Sequence, residues 1–299
     1  MQEQRQKVER LRLIRLGPFG QEQPGLFLGG SAHLLKGEQL PGGDYGESFF
    51  RAGGFRWLRE RLETGAIWTE AAAATLRLGA PVARPSKLIA VGLNYAAHAA
   101  EVQMQAPERP ILFMKASTSL SGPFDAIPLP LGAEKLDYEA ELAVVIGREG
   151  IAIQAQEAAA YIAGYSILND VSERAWQLER KGQWVKGKSY DGFAPMGPVL
   201  LEPARAAENE RFEVRTWVNG KLRQEASTAQ MLLDVPALIA EISSYMRLLP
   251  GDIIATGTPA GVGMGLQPPR FLRAGDRVRM QLSGLGEMEQ EVRSVLPIS

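Results

Sequence analysis

LDYEAELAVV, residues 136–145, carries the clearest secondary-structure signal in the chain. Successive side chains of a strand point to opposite faces, so alternating apolar residues predict a strand. One face of this strand is apolar: Leu136, Tyr138, Ala140, Leu142 and Val144. The other face begins with Asp137, Glu139 and Glu141 and continues with Ala143 and Val145. We therefore predict a strand that is buried on both sides and carries three acidic residues at its start.

Buried carboxylates repel one another and need a positive partner. Glu139 and Glu141 lie two residues apart on the same predicted face, together with Asp137. A divalent metal ion would satisfy this requirement, and so would neighbouring Arg or Lys side chains. The strand by itself leaves these two alternatives open.

Composition limits the chemistry that is open to the chain. The 299 residues include no cysteine and two histidines, and the formal net charge is −1. Disulfides, thiolate catalysis and multi-histidine zinc sites are thereby excluded, and any metal site must use mainly oxygen ligands, which favours Mg²⁺, Mn²⁺ or Ca²⁺. The near-neutral charge favours neither a nucleic-acid nor a membrane partner, and the polar N-terminal residues predict a cytoplasmic protein.

The Gly- and Pro-containing segment 79–86 is the candidate boundary between two domains. We predict a small N-terminal α+β domain over residues 9–80 and a catalytic domain over residues 81–299. Strands outnumber helices in the second part, and Asn219-Gly220 marks a hairpin turn. Helices are predicted over 236–249 and after Asp170, with Asp170 or Ser172 as the N-cap. The expected class is α+β with a mainly β main domain.

Two glycine-rich motifs have nucleotide-binding alternatives, which their contexts disfavour. GQWVKGKS, residues 182–189, has the spacing of a phosphate-binding loop but follows no apolar strand. TGTPAGVGMG, residues 256–265, lacks the dinucleotide spacing, although its amides could bind a carboxylate or simply form a turn. Lys188 lies in the first motif among aromatic residues, where partial burial would tune its chemistry.

His98 and Glu101 are three residues apart on a predicted helical segment, so their side chains share one face. A carboxylate that orients an imidazole raises its basicity, and such a pair can activate water. An isolated surface pair with no function has the same spacing.

Six motifs in order resemble the fumarylacetoacetate hydrolase family, and the resemblance covers residue 87 to the end of the chain. They are GLNYAAH (92–98), FMKAS (113–117), DYEAELAVVIG (137–147), NDVSERAWQ (169–177), GKSYDGFAPMGP (187–198) and LLPGDIIATGTPAGVG (248–263). The resemblance implies a mixed β-roll or distorted barrel, assembled as a homodimer, that uses Mg²⁺ or a similar ion on 2-oxo acids. The residues before Gly79 resemble the small N-terminal domain of bacterial members.

The resemblance also assigns roles to residues. The implied metal ligands are Glu139, Glu141 and Asp170, whereas Asp137 would not bind the metal. His98 and Glu101 would activate water, and Lys188 would stabilise oxyanion charge. The implied substrate contacts are Lys115, Arg174, Gln177, Gly257 and Thr258. Three positions depart from the family pattern: Asn94 stands where fumarylacetoacetate hydrolase itself has a further aspartate ligand, and Tyr190 and Gly192 replace Phe and Thr.

The implied reaction is hydrolysis of a 2,4-dioxo acid, an acylpyruvate, to pyruvate and a carboxylic acid. The N-terminal region favours the members that cleave 2,4-diketo-3-deoxy sugar acids. The same scaffold supports oxaloacetate decarboxylation, hydration or dehydration of 2-oxo acids, and isomerisation. A catalytically silent small-molecule-binding protein is a further alternative.

Overall fold

The computed structural model describes residues 10–37, 40–73, 75–204 and 210–295. Strands dominate these ranges, and the helices are short, which confirms the α+β, mainly β class. Within the described ranges, no helix combines the length and apolar character that crossing a bilayer requires.

The described strands fall into two large sheets and one two-stranded ladder. In chain order they are β1 (Arg12–Leu16), β2 (Gln23–Leu28), β3 (Ser31–Gly37), β4 (Ile67–Ala71), β5 (Leu78–Gly79), β6 (Leu88–Gly92), β7 (Ile111–Lys115), β8 (Leu120–Ser121), β9 (Ile127–Leu129), β10 (Leu136–Asp137), β11 (Ala140–Ile146), β12 (Ile162–Asn169), β13 (Ser172–Glu173), β14 (Ala194–Leu201), β15 (Glu213–Val218), β16 (Lys221–Ser227), β17 (Ile253–Ala255), β18 (Arg277–Leu282) and β19 (Gly286–Ser294).

The larger sheet has the order β4-β3-β2-β1-β14-β12-β11-β17-β6-β7 and does not close on itself along this path. Strand β11 lies inside it, antiparallel to both β12 and β17. The second sheet has the order β16-β15-β18-β19-β9. Its β15–β16 hairpin turns at Asn219 and Gly220, whose φ angles are +51° and +75°, and this confirms the predicted turn.

Five α-helices are present in the described ranges: α1 (Glu47–Arg51), α2 (Gly54–Thr64), α3 (Ala96–Glu101), α4 (Val185–Lys188) and α5 (Val235–Tyr245). Helix α5 begins after Asp234, whose side chain accepts a hydrogen bond from the Ala237 amide, and ends at Tyr245 rather than at Leu249. A helical turn does follow Asp170, but the predicted start at Asp170 or Ser172 was wrong. The chain instead forms β13, paired with β10, and then a single π-helical turn over Ala175–Glu179.

The alternation around β11 separates two hydrophobic clusters. Leu142 and Val144 pack in one cluster, and Ala143 and Val145 pack in the other. All seven residues of β11 are buried. The prediction of a strand buried on both sides is therefore confirmed for residues 140–146. Its predicted start is interrupted, because Leu136 and Asp137 form β10, paired with β13, and residues 138–139 lie between the two strands. The three acidic residues are all buried.

The N-terminal strands share their core with the rest of the chain. Strand β1 pairs with β14, with Arg12 opposite Leu201. Leu13 packs in a cluster with Leu88 and Leu200, and Ile14 packs in the other cluster with Leu142. The division of the chain into domains over residues 9–80 and 81–299 stays a prediction. Residues 9 and 296–299, at the ends of these predicted domains, lie outside the described residues.

Candidate active site

Strand pairing brings three carboxylates together. Glu139 and Glu141 flank the first residue of β11, and Asp170 follows the last residue of β12. Ala140 pairs with Asn169, and the Asp170 amide donates to the Glu139 carbonyl at 2.9 Å. One oxygen from each side chain lies within 4.8 Å of the others, and all three residues are buried. This is the oxygen-ligand set that a hard divalent ion prefers.

Two buried lysines neutralise part of this cluster. Lys188 Nζ donates to Glu139 Oε2 at 2.6 Å and to Asp170 Oδ2 at 2.7 Å. Lys115 Nζ donates to Asp170 Oδ1 at 2.6 Å. Burial lowers the pKa of Lys115 despite the charge of Asp170. For Lys188 burial acts in the same direction, but the charges of Asp170 and Glu139 outweigh it and raise the pKa.

Arg174 joins Glu139 to Asp137. Its Nε donates to Asp137 Oδ2 at 2.9 Å and its Nη2 to Glu139 Oε1 at 2.7 Å. Its Nη1 donates to Gln177 Oε1 at 3.0 Å. Burial raises the pKa of Glu139, but Arg174 and Lys188 outweigh that effect and hold it well below its ordinary value.

Glu141 is different, because no lysine or arginine of the described residues donates a hydrogen bond to it. Its Oε2 accepts a hydrogen bond from the Gly257 amide at 2.8 Å. Burial, together with the nearby charges of Asp170 and Glu139, raises its pKa well above the ordinary value. A cation held by the three carboxylates would remove this penalty, so the residues present fit a divalent metal ion.

The predicted His98–Glu101 pair lies on α3. His98 Nδ1 is 2.8 Å from Glu101 Oε1, and both side chains are largely buried. Glu101 Oε2 accepts a hydrogen bond from the Gly261 amide at 2.8 Å. The His98–Glu101 pair is therefore anchored to the glycine-rich loop 256–265 as well as being formed within the helix.

One small cavity, about 40 Å³, connects these groups. His98, Glu139, Glu141 and Lys188 line it, as do three of the predicted substrate contacts, Arg174, Gln177 and Thr258. The other two predicted contacts are not among its lining residues: Lys115 bonds to Asp170, and Gly257 bonds to Glu141. All the predicted site residues thus lie in one region, and their individual roles stay predictions.

Comparison with known proteins identifies the family of this chain. The family described as "Fumarylacetoacetate (FAA) hydrolase C-terminal" matches residues 87–293. The chain belongs to the fumarylacetoacetate hydrolase family. A Burkholderia ambifaria relative that carries only a provisional hydrolase name is 42% identical over 293 residues, which cover 95% of this chain and 99% of the relative.

Solved structures of fumarylacetoacetate hydrolase family members with different named activities are similar to this chain. The fumarylacetoacetate hydrolase of psychrophilic Exiguobacterium antarcticum is 34% identical with a TM-score of 0.77, over 95% of this chain and 100% of that one. The 5-carboxymethyl-2-hydroxymuconate delta-isomerase of Mycobacterium smegmatis is 36% identical with a TM-score of 0.73, over 95% and 100%. Hydrolases and isomerases therefore share this fold.

Sequence reasoning missed two supports of this family site. Asp137 accepts hydrogen bonds from the Gly263 and Met264 amides at 2.7 and 3.0 Å, besides the bond from Arg174. Gln224 Nε2 donates to Thr258 Oγ1 at 2.8 Å. The acidic run pointed to Asp137 without its partners, and nothing in the sequence around Gln224 distinguishes it from an ordinary strand residue.

Asn94 stands where the resemblance places an additional aspartate ligand in fumarylacetoacetate hydrolase itself. Its side chain instead forms hydrogen bonds with backbone groups. Its Nδ2 donates to the carbonyls of Thr256 and Leu233, at 2.8 and 3.0 Å. Its Oδ1 accepts a hydrogen bond from the Leu233 amide at 2.9 Å. Both ends of the amide are satisfied, so Asn94 ties the glycine-rich loop to the start of α5.

Proposed function

We propose that this protein is a divalent-metal-dependent hydrolase that cleaves a carbon–carbon bond of a 2,4-dioxo acid of the acylpyruvate type, releasing pyruvate and a carboxylic acid. The observation that carries the proposal is the shared cavity, which is lined both by the carboxylates Glu139 and Glu141 and by His98, the partner of Glu101. A metal-binding half and a water-activating half thus open onto one space.

The metal-binding half is formed by Glu139, Glu141 and Asp170. An Mg²⁺ or Mn²⁺ ion held there would supply the positive charge that the oxygens of a 2-oxo acid and a departing pyruvate enolate require. Arg174 is fixed by Asp137 and in turn fixes Gln177 and Glu139, so the wall of this half is rigid before substrate enters.

The water-activating half is the His98–Glu101 pair. Because Glu101 bonds Nδ1 of His98, the imidazole is held so that its other nitrogen can take a proton from water. The water oxygen then bonds to C4 of the substrate, and the bond between C3 and C4 breaks with its electron pair left on C3. The proton held by His98 can return to C3, which completes pyruvate, and C4 leaves as the carboxylic acid.

Lys188 is placed to meet the oxyanion that forms at C4. An ammonium group has three N–H donors, and the bonds to Glu139 and Asp170 use two of them. The Lys188 side chain is buried, and its Nζ atom lies 4.9 Å from the centre of the Phe113 ring. The third donor can therefore act on developing charge in a low-dielectric site.

A second candidate is isomerisation of an unsaturated 2-oxo acid, which the similarity to the Mycobacterium smegmatis isomerase favours. The two reactions differ in the need for water activation, and the bonded His98–Glu101 pair favours hydrolysis.

The test is pyruvate release from acylpyruvates, 2,4-dioxo-3-deoxy sugar acids and oxaloacetate, measured after chelation and again with Mg²⁺ or Mn²⁺. Metal-dependent release of pyruvate together with a carboxylic acid is expected. Pyruvate with carbon dioxide alone would replace the proposal with a decarboxylase, and a shift of a substrate double bond without cleavage would replace it with an isomerase.

The family resemblance also leads us to propose a homodimer. Light scattering coupled to size-exclusion chromatography tests this, and a mass equal to one chain of 32.6 kDa would contradict it.

A further inference from the structure

Three basic side chains among the described residues line the active-site cavity, and each of them bonds to a carboxylate. Arg174 donates to Asp137 and Glu139, and Lys188 donates to Glu139 and Asp170. His98 is bonded to Glu101. The positive charge of the cavity therefore sits at the carboxylate cluster, where a 1-carboxylate and a 2-oxo group would bind under the proposed function.

The rest of the cavity wall is mainly apolar. Six of its apolar side chains are Val102, Met104, Phe113, Leu178, Trp184 and Met264. The Phe113 and Trp184 rings meet edge to face with centroids 5.3 Å apart. A Cβ atom on Gly92 would come within 2.6 Å of the Trp184 ring, so the ring lies directly on this backbone. The apolar wall is thus closely packed on the side of Trp184.

The uncharged polar groups of the lining are also engaged. Gln177 Oε1 accepts a hydrogen bond from Arg174. Thr258 Oγ1 accepts one from Gln224 and donates one to the Ala140 carbonyl. The Gln177 amide nitrogen is held by Arg174 beside the carboxylate cluster, so the hydrogen-bonding capacity that remains lies mainly at that end of the cavity.

From this distribution we infer that the acyl group beyond C4 of the substrate is a small apolar alkyl or aryl group, and neither a second carboxylate nor a polyhydroxyl chain. A carboxylate at that end would meet no unpaired cation among the described lining residues, and each hydroxyl placed on the apolar side chains would lose hydrogen bonds to water. An alkyl group gains by leaving water. The unbranched side chains of Met104 and Met264 let the wall adapt to the size of the group. This inference rests on the proposed function and argues against the sugar-acid substrates that the sequence favours.

The test compares two substrates of equal length, butyrylpyruvate and succinylpyruvate, which differ in a terminal methyl or carboxylate. With the metal-loaded full chain we expect kcat/KM to be at least about tenfold higher for butyrylpyruvate, because a carboxylate on the apolar wall gains no ion-pair partner for the water that it loses. A 2,4-dioxo-3-deoxy sugar acid should also be a poor substrate. Equal values, or a preference for either polar substrate, would overturn the inference.

A charge placed in the wall should change this selectivity. Leu178 lines the cavity and is 41% exposed, so a longer polar side chain can be accommodated there. Leu178→Arg should raise the ratio of kcat/KM for succinylpyruvate over butyrylpyruvate by about tenfold or more, whereas Leu178→Gln, which adds polarity without charge, should change it much less. An unchanged ratio in Leu178→Arg would show that this wall does not meet the acyl group.

The two levels of proposal fail differently. If both compounds are cleaved equally, the specificity inference fails and the hydrolase stands. If no 2,4-dioxo acid of the panel is cleaved with metal present, the proposed function fails. Calorimetric binding of both compounds to the metal-loaded protein then decides the inference, since tighter binding of succinylpyruvate would overturn it.

Discussion

Two residues at the start of β11, Glu139 and Glu141, have the same side chain and opposite pKa shifts. Glu139 faces Arg174 and Lys188, whose charges lower its pKa in spite of burial. Glu141 has the Gly257 amide and the like charges of its neighbours, so burial raises its pKa. The position left without a cation is therefore Glu141, and it is where a bound metal ion changes the protein most.

Replacing Glu141 should separate metal binding from folding. We expect Glu141→Gln to lower Mn²⁺ affinity strongly. The loss should exceed the roughly tenfold to hundredfold that follows when a residue hydrogen-bonded to a metal ligand is removed. In chelator the variant should melt no lower than the wild type, because the substitution removes a buried like charge. Titration calorimetry and thermal unfolding measure both effects. Glu225→Gln, at an exposed position, is the control, and unchanged Mn²⁺ affinity in Glu141→Gln would contradict the assignment.

The catalytic assignments give a second residue-scale prediction. His98→Ala and Lys188→Ala should each lower kcat on a cleaved acylpyruvate at least about tenfold, since one removes the proton acceptor and the other the oxyanion donor. Metal binding should survive in both variants, because neither residue belongs to the carboxylate triad. Steady-state kinetics alongside Mn²⁺ titration measure this, and unchanged turnover in either variant would remove that residue from the mechanism.

At the scale of elements, the glycine-rich loop links the metal-binding half to α3. Asp137 fixes the loop through the Gly263 and Met264 amides, and the loop in turn donates to Glu101 through Gly261. Helix α3 therefore contacts a loop that Asp137, in β10, holds in place. The cavity that His98 of this helix lines is small, about 40 Å³.

A methyl group on the loop should disturb this contact. A Cβ atom on Gly265 would lie 2.5 Å from Glu101 Cδ, so Gly265→Ala should displace Glu101 and with it the orientation of His98. We expect kcat/KM to fall about tenfold or more. In the Glu101→Ala background the same substitution should have little further effect, because the clashing carboxylate is gone. Equal losses in both backgrounds would mean that Gly265 acts on the loop itself.

At the scale of the whole molecule, ion pairs join the N-terminal strands to the catalytic region. Arg77 Nη1 donates to Glu22 Oε1 at 2.8 Å, and Arg77 Nε donates to Asp125 Oδ1 at 2.7 Å. Burial alone raises the pKa of Glu22, but the bond from Arg77 and the charges of Arg15 and Arg77 outweigh it and leave the pKa below 4.5. The ionised form of Glu22 therefore stabilises the folded chain.

The sign of this shift fixes a pH dependence. A lowered carboxyl pKa stabilises above the ordinary value of 4.5, and the contribution is lost as the pH falls through the lower value of the folded state. Glu22→Gln should cost about 1–2 kcal/mol at pH 7 and progressively less in acid. Urea unfolding of metal-free protein at several pH values measures the difference, with the exposed Glu63→Gln as control. A constant difference at all pH values would contradict the role of the charge.

Local patterns predicted much of the fold. The alternation around β11, the Asn219-Gly220 turn and the three-residue spacing of His98 and Glu101 each involve neighbours in sequence, and each is present in the structure. The start of the helix after Asp170 was predicted wrongly for the converse reason. Ser172 and Glu173 pair with Asp137 and Leu136, a contact that local helix signals do not register, and the helical turn follows them.

By itself the sequence determined a strand buried on both faces with acidic residues at its start, and a metal chemistry limited to oxygen ligands, since the chain has no cysteine and two histidines. Only the tertiary structure decided which carboxylates meet and which cations they meet. Asp170, Lys188 and Gly257 reach Glu139 and Glu141, and Lys115 reaches Asp170, through strand pairing and loop packing between distant parts of the chain. The spacing of residues within a segment indicates which side chains share one face of one strand or helix. Contacts between distant segments depend on how all the strands, helices and loops pack together.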